Sequence, residues 1–332
     1  MKTPAALLPD LPTLRARLTR ALGNGGATGR TVKILERKLP PFMCTFPNEI
    51  VTCQLPNGRR RRLFIKYAGG QSHDSFGHRG DVAYEGKVYQ RLLRSVPAFR
   101  PRCLAAHTGA RADEAWIILE YIAESVRVSD MTHKRASRQP LAMSEAARWL
   151  GRFHSTQQAR VGEPALSFLK RYDSEYYRGW ERRTFEFARP LWDRFPWLAK
   201  LKASGNRWLA PLLEAPATII HGECYAKNLL LRRQELFMLD WESAAVAAGE
   251  IDLAALTEGI HWPESIVRRC LRAYVRARWP HGAPAGFERI LDAARIYLHF
   301  RWLGERPDWT TREKTLWRFD HLYAAAKRLR LL

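Results

Sequence analysis

The segment that most constrains this chain is the stretch of residues 219–242. Three short apolar runs lie in it: Ile219-Ile220, Leu229-Leu230 and Phe237-Met238-Leu239. Polar loops separate the runs, which predicts three short buried strands with functional side chains at the strand ends. Glu223 and Asn228 fall in the first loop, and Asp240 comes directly after the last run. A rigid scaffold therefore presents two carboxylates and one amide on loops, where binding and catalytic residues usually lie.

These three side chains match the requirements of phosphoryl transfer from a nucleotide. That reaction uses a carboxylate that faces the acceptor hydroxyl, together with an Asn and an Asp that hold Mg²⁺ against the phosphates. In the catalytic loop of kinases the carboxylate precedes the Asn by five positions, as Glu223 precedes Asn228. Asp240 follows Asn228 after one hairpin, so we expect Asn228 and Asp240 to be the metal ligands.

The same residues carry a resemblance to a known family. The order His221, Gly222, Glu223, four residues, Asn228 and a later Asp240 resembles the aminoglycoside phosphotransferase and choline kinase-like family. The resemblance covers residues from about 28 to about 325 and is specific only over 219–256. The chain departs from the family at Glu223, where the family has Asp.

The resemblance implies a bilobal, protein kinase-like α+β fold with a small β-rich N-lobe and a larger, mostly helical C-lobe. It implies that Lys66 contacts the nucleotide phosphates and that Glu85 holds Lys66 in place. It places the backbone of Glu120 and Ile122 at the adenine. Two further residues, His221 and Asp252, are expected to support the catalytic loop.

We expect three segments: an N-terminal helical extension (1–27), an N-lobe (28–122) and a C-lobe (123–332). Strand patterns occur at 31–35, 49–55, 61–67 and 116–122, and Asp81 is a plausible cap for a helix that ends at Leu93. Helical patterns follow at 144–156, 166–188, 190–213, 263–278, 287–303 and 312–329. A shorter one at Thr13–Leu22 predicts an amphipathic helix packed on the body, with docking to a membrane surface as a second interpretation.

Two loops are candidates for contact with the nucleotide phosphates. The loop of residues 37–47, between the first two predicted strands, lacks glycine, and bulky side chains keep a backbone away from a phosphate. The glycine-rich loop of residues 69–80, with His73, His78 and Arg79, offers anion contacts instead. An acceptor-side lid is an equally good interpretation of that second loop.

Charge limits the partners of the chain. The net charge is +22, and 43 of the 55 basic residues are arginines spread along the whole length. Such a field attracts nucleotides and anionic surfaces. Nucleic acid is a minor interpretation, because no RNA-binding signature or Cys/His finger accompanies the charge. Five scattered cysteines without a CxxC pair, and the lack of a signal-peptide or membrane-span pattern, predict a cytoplasmic protein without a transmembrane segment.

The sequence thus predicts an ATP- and Mg²⁺-dependent phosphotransferase acting on a hydroxyl of a small molecule or glycan. Glu is one methylene longer than Asp, so the alternative is a nucleotide-binding pseudokinase that acts as a scaffold or sensor. The acceptor is left open. The global charge opposes a polycation, although acidic residues occur where a local pocket could form: Asp173, Glu175, Glu181, Glu258 and Glu264.

Overall fold

The computed structural model describes residues 8–22, 31–40, 45–70, 75–96, 98–109, 114–130, 140–258 and 262–332. The chain divides into two compact units. The first comprises Met1–Ser125 and Glu235–Ser243, and the second comprises Val126–Gln234 and Ala244–Leu332. The segment that carries Asp240 therefore belongs to the first unit, although it lies far along the chain.

The first unit is built on a five-stranded antiparallel sheet. Its strands are β1 (Lys33–Lys38), β2 (Asn48–Gln54), β3 (Arg60–Tyr67), β4 (Cys103–His107) and β5 (Trp116–Glu120). They lie in the order β1-β2-β3-β5-β4. Val51, Leu63 and Ile118 form the core on one face of the sheet, and helix α1 (Leu11–Leu22) buries Leu14 and Leu18 in the same core. The predicted amphipathic N-terminal helix is thus confirmed as one that packs on the sheet.

The predicted helix after Asp81 is also present. Asp81 Oδ1 accepts the Tyr84 backbone N–H at 2.7 Å and caps α2 (Val82–Lys87). The chain then continues through a π-helical turn, Val88–Leu92, and a 3₁₀ turn, Leu93–Ser95. Strand β4 was missed by the sequence patterns. Its residues are partly buried without alternation, so no period of two marks it.

The second unit is mostly helical. Its α-helices are α3 (Pro140–Gln158), α4 (Ser174–Phe187), α5 (Trp197–Ala203), α6 (Ala210–Glu214), α7 (Glu250–Thr257), α8 (Glu264–Arg278), α9 (Phe287–Leu303), α10 (Pro307–Thr310) and α11 (Trp317–Arg328). An antiparallel sheet in one unit and helices in the other confirm the predicted α+β fold class. None of the helices within the described residues is both long and apolar enough to span a membrane.

Three predicted helices in this unit are wrong in extent. The helix expected at 166–188 begins only at Ser174, after Asp173 caps it by accepting the Tyr176 N–H at 2.8 Å. The helix expected at 190–213 is broken into α5, α6 and 3₁₀ turns, because Pro196 precedes α5 and Gly205 adopts a φ of +59°. The helix expected at 312–329 starts at Trp317.

Short strands complete the framework. These are β6 (Val126–Arg127), β7 (Lys170–Arg171), β8 (Ala217–Ile220), β9 (Leu229–Arg232), β10 (Glu235–Met238) and β11 (Ala245–Ala248), of which β10 belongs to the first unit. In the second unit β11 pairs antiparallel with β8 and parallel with β7, and β6 pairs antiparallel with β9. The loop of residues 221–228 thus connects two buried strands, as the sequence predicts.

Helices α3 and α8 approach each other closely at Gly151. A Cβ atom built there would lie 2.5 Å from the Tyr274 carbonyl oxygen and 2.9 Å from Ala277 Cβ. Both neighbours belong to α8, and one of them is backbone, so neither can move away without shifting the helix. The absence of a side chain at Gly151 therefore sets the distance between the two helices.

We expect Gly151→Ala to destabilise the protein. Alanine favours a helix over glycine by about 1 kcal/mol, but overpacking against α8 should outweigh this and lower the free energy of unfolding by about 1–3 kcal/mol. The matched control is Gly162→Ala, where no atom lies within 4 Å of the added Cβ. Urea unfolding followed by circular dichroism checks both variants, and equal stability of the two would show that α3 and α8 are not closely packed.

Candidate functional site

The first unit contains a buried lysine among three carboxylates. Lys66 Nζ lies 2.6 Å from Glu85 Oε2, 2.6 Å from Asp240 Oδ1 and 3.4 Å from Glu242 Oε2. Strand β3 supplies Lys66, α2 supplies Glu85, and the segment after β10 supplies the other two. Burial opposes the charge on Lys66, but Asp240, Glu85 and Glu242 raise the pKa of Lys66 well above its ordinary value. The lysine is therefore a permanent ammonium ion.

Glu242, which flanks the predicted metal ligand Asp240, is a further functional candidate. Its side chain is buried, and its Oε1 lies 3.7 Å from Arg79 Nε. The Glu242 carbonyl oxygen accepts the backbone N–H of Gly80 at 2.7 Å, so this residue fixes the end of the glycine-rich loop. His78 of that loop is fully buried, and His73 lies outside the described residues.

This carboxylate cluster has the chemistry of a cation site. The ligand oxygens of Glu85, Asp240 and Glu242 lie within 4.8 Å of one another. Lys66 and Arg79 are the cationic side chains for which contacts with these carboxylates are seen in the described part of the chain. Hard carboxylate oxygens are the ligands that Mg²⁺ prefers, so the donor set fits that ion.

Asp240 is the accessible member of the cluster. Its side chain is 32% exposed, whereas those of Glu85 and Glu242 are 1% exposed. Its backbone has a φ of +66°, in the left-handed region that only a few per cent of non-glycine residues occupy. Glu85 Oε1 accepts the N–H of the next residue, Trp241, at 3.1 Å and holds the strained segment in place. The geometry thus presents one carboxylate to a ligand while two others remain buried.

The second unit holds the loop of residues 221–228 by one buried carboxylate. Asp252 Oδ2 accepts the His221 N–H at 2.7 Å, and Oδ1 accepts the Gly222 N–H at 2.9 Å. Gly222 has a φ of +83°, which glycine adopts without strain, and it turns the chain directly before Glu223. His221 Nδ1 then accepts the Glu223 N–H at 3.2 Å. The loop is therefore hydrogen-bonded at three consecutive amides.

A second set of buried residues supports Asp252. His154 Nε2 lies 3.1 Å from Asp252 Oδ2, and His154 Nδ1 lies 3.0 Å from the Tyr274 hydroxyl. Tyr274 also accepts a hydrogen bond from Arg278, which pairs with Glu250 at 2.9 Å. Burial lowers the pKa of His154 below its ordinary value, despite the opposing effect of Asp252, so His154 is neutral near pH 7. Sequence patterns missed His154, because it lies 98 residues from Asp252 on an ordinary amphipathic helix.

Loss of the Asp252 charge should destabilise the loop. Asp252→Asn replaces one acceptor oxygen by an NH₂ group that faces a backbone donor. We expect the free energy of unfolding to fall by about 1.5–3 kcal/mol, the range for a hydrogen bond to a charged group. The control is Asp320→Asn, because Asp320 is an exposed residue of α11. Chemical denaturation of both variants measures the difference, and a stable Asp252→Asn protein would show that the carboxylate is not needed to hold the loop.

Glu223 itself contacts a buried arginine of α9. Glu223 Oε1 lies 3.3 Å from Arg301 Nη2, and the two residues are 2% and 0% exposed. Although burial works against its charge, Tyr225, Glu223 and Glu305 raise the pKa of Arg301 above its ordinary value. Arg301 Nη2 also donates to the Tyr225 hydroxyl at 2.8 Å. The residue that departs from the family therefore has a fixed cationic partner, which no local sequence signal indicates.

Asn228 closes the same loop. Its Nδ2 donates to the Glu223 carbonyl oxygen at 2.9 Å, and its backbone N–H donates to the Tyr225 carbonyl oxygen at 2.8 Å. Because the amide nitrogen makes the first bond, Oδ1 is the atom that would hold a cation. The second unit thus brings Glu223, Asn228, His221 and Asp252 together, as the sequence predicts for one loop and its support.

The two residues predicted at the adenine lie at the end of the first unit's sheet. Glu120 ends β5, and its Oε1 accepts the Arg102 N–H at 2.7 Å. Ile122 follows, and its carbonyl oxygen accepts the Ser125 hydroxyl at 2.7 Å. Their contacts to a nucleotide stay a prediction. The loop predicted at 37–47 begins later than expected, since β1 continues to Lys38, and its residues 41–44 lie outside the described part of the chain.

The chain has counterparts among known proteins at the level of family and fold. The model of the phosphotransferase enzyme family matches residues 24–290, which confirms the resemblance seen in the sequence. No curated protein matches the chain.

Three solved structures illustrate the fold. The choline kinase LicA from Streptococcus pneumoniae has a TM-score of 0.60 at 13% identity, with 97% of this chain and 99% of that chain covered. The macrolide 2′-phosphotransferase MphH from Brachybacterium faecium has a TM-score of 0.54 at 19% identity, covering 96% and 98%. A spectinomycin phosphotransferase in complex with ADP and spectinomycin has a TM-score of 0.53 at 12% identity, covering 91% and 94%.

Proposed function

Because the chain belongs to the phosphotransferase enzyme family, we propose that it moves the γ-phosphoryl group of ATP, with Mg²⁺, to a hydroxyl of a small molecule or glycan. That it is a small-molecule phosphotransferase follows from the family. The donor, the metal and the acceptor are the proposed part. The observation that carries it is the buried Lys66 ammonium held between Glu85 and Asp240 at 2.6 Å from each.

In this proposal the first unit binds the phosphates. Lys66 contacts the α- and β-phosphates as a fixed positive charge, and Glu85 keeps its ammonium group in position. The backbone groups of Glu120 and Ile122 form hydrogen bonds with the adenine. Asp240 and Asn228 hold Mg²⁺, which supplies positive charge to the transferring phosphoryl group when it is bound.

Glu223 acts on the acceptor. The acceptor hydroxyl oxygen forms a bond to the γ-phosphorus while the bond from that phosphorus to the β–γ bridging oxygen breaks, and ADP leaves. The hydroxyl proton passes to the Glu223 carboxylate. Because the transition state is loose, orienting the hydroxyl matters more than strong basicity, so a carboxylate paired with Arg301 can serve. His221 and Asp252 support the loop without touching the reactants.

The protein is expected to work in the cytoplasm, where ATP is present. The alternative is a pseudokinase that binds nucleotide without transferring it. The buried contact of Glu223 with Arg301 favours this alternative, because the ion pair occupies the carboxylate that is proposed to accept the proton. The rate of ATP turnover in the presence of an acceptor distinguishes the two functions.

The metal role of Asp240 is tested by thermal unfolding. Only the native state gains from a bound ligand, so ATP with Mg²⁺ should raise Tm by several degrees more than ATP with EDTA. Asp240→Asn should remove most of this metal-dependent increment, while Asp193→Asn, at an exposed position, should keep it. An unchanged increment in Asp240→Asn would remove Asp240 from the metal site.

The role of Glu223 is tested by changing its length and its charge separately. Glu223→Gln should lower kcat by roughly 10²- to 10⁴-fold with nearly constant ATP affinity. Glu223→Asp should also lower kcat, by about 10²-fold, because the shorter side chain withdraws from Arg301 and from the acceptor. Glu214→Gln, an exposed charge-neutralising control, should keep full activity.

Steady-state ATP consumption against pooled hydroxyl-bearing metabolites, aminoglycosides included, provides the assay. Increased activity of Glu223→Asp would mean that the site tolerates Glu instead of requiring it. Equal ATP turnover by the parent protein, Glu223→Gln and Glu223→Asp with every acceptor would assign the chain to the pseudokinase alternative.

A further inference from the structure

The second unit has a cavity whose lining is both aromatic and cationic. Its volume is about 350 Å³, within the range of small-molecule sites. The residues that give it this character are Trp302, Trp309, Trp317, Arg312, Lys314 and Arg318. The remaining lining residues are Leu303 and Thr315, so no carboxylate is among them.

One wall of the cavity is connected to Glu223 through a single hydroxyl group. Trp302 Nε1 donates to the Tyr225 hydroxyl at 2.8 Å, and Arg301 Nη2 donates to the same oxygen at 2.8 Å. The same Arg301 nitrogen lies 3.3 Å from Glu223 Oε1. The cavity is thus joined to the proposed catalytic carboxylate by a short series of buried polar contacts.

The aromatic surfaces around this wall already carry positive charge. The Arg318 guanidinium lies 4.4 Å from the centre of the Trp317 ring and 4.6 Å from that of Trp302. The Arg301 guanidinium lies 4.6 Å from the Trp302 ring, and Lys227 Nζ lies 5.3 Å from it. The ring faces that could bind a cationic ligand are already occupied by guanidinium groups, and these groups would repel such a ligand.

Two cations of the lining are paired with acidic side chains outside it. Glu258 accepts a hydrogen bond from Arg318, and Asp308 pairs with Arg312 at 2.6 Å. For Lys314, an exposed residue, the described part of the structure shows no ionic partner. The cavity therefore keeps a surplus of positive charge at its rim.

The larger cavity of this unit does not offer a better site for the acceptor. Its volume is about 740 Å³, and its lining mixes Glu181 and Glu186 with three cationic side chains. Burial raises the pKa of Glu181 to about 7, so this residue is only partly charged at neutral pH.

We propose that the aromatic and cationic cavity is the acceptor subsite, and that the acceptor is a sugar bearing a carboxylate or a phosphate group. The anionic group would bind at Lys314 and share Arg312 with Asp308, while the apolar face of the ring packs on the tryptophans. To take the phosphoryl group from ATP, a ring hydroxyl would have to reach Glu223, which lies beyond Trp302 and Tyr225 and outside the lining itself. This rests on the proposed function and names its substrate class.

A matched series of sugars on one ring tests the charge preference. Glucose is neutral, glucosamine is cationic, and glucuronate and glucose 6-phosphate carry a carboxylate and a phosphate. Binding is followed by isothermal titration calorimetry, with tryptophan fluorescence as a second signal. We expect at least one of the two anions to bind about tenfold or more tightly than glucose, and glucosamine to bind more weakly than glucose. The two anions distinguish a carboxylate from a phosphate acceptor.

Location is tested with the double variant Arg312→Gln, Lys314→Gln. Both residues are exposed, so folding should persist, and the affinity for the anionic sugar should fall by about tenfold or more. The matched control Lys200→Gln, Arg289→Gln removes the same charge from exposed positions outside the lining and should leave the affinity unchanged. An equal loss in both double variants would mean that only the global charge matters, which overturns the proposal.

Failure of this inference can be separated from failure of the proposed function. The ATP-dependent shift in Tm and the ATP consumption are measured on the same preparations. Transfer to glucosamine or to an aminoglycoside in preference to the anions overturns the anionic acceptor and leaves the phosphotransferase intact. No preference for anions in binding has the same consequence. Anionic sugars that bind at the cavity but are never phosphorylated, while another acceptor is, overturn its role as the acceptor subsite.

Discussion

The functional loop of the second unit depends on the hydrogen bonds that the Asp252 carboxylate accepts. This carboxylate is fully buried and accepts two consecutive backbone N–H groups while it contacts His154. A buried carboxylate is tolerated only when its oxygens are satisfied, so the loop and its support must form together. The cost of placing this charge inside the protein is offset by a backbone that has one conformation. That conformation determines the positions of Glu223 and Asn228.

The spacing of the loop residues could be read from the sequence because it is local. Two apolar strands with a polar loop between them leave few conformations, and the positions of Glu223 and Asn228 follow. The Asp81 cap is local in the same sense, since its partner is three residues away. The pairing of Lys66 with Glu85, 19 positions later, was an expectation from the family resemblance, and the two side chains lie 2.6 Å apart.

Other features depend on residues that are distant in the chain. Arg301 lies 78 positions after Glu223 in a helix that is buried on nearly all sides, so neither its position nor its role has a periodic signal. His154 resembles any polar residue of an amphipathic helix. The broken helices between residues 166 and 213 were missed because apolar periodicity continues through turns at Pro196 and Gly205. Edge strand β4 lacks alternation altogether.

The Lys66 ammonium has a consequence for the order in which ligands arrive. The ammonium group belongs to the same unit as the three carboxylates that surround it. Because it is covalently attached to that unit, its effective concentration beside the carboxylates is high, and a free cation has to compete with it for them. In the proposed function, a divalent ion that arrives alone would have to compete with Lys66 for Asp240, since Lys66 Nζ lies 2.6 Å from Asp240 Oδ1. Nucleotide phosphates would offer the ammonium a second set of anionic oxygens and so free Asp240 for the proposed metal. Metal and nucleotide are therefore expected to enter as one complex, so that free metal alone is held weakly.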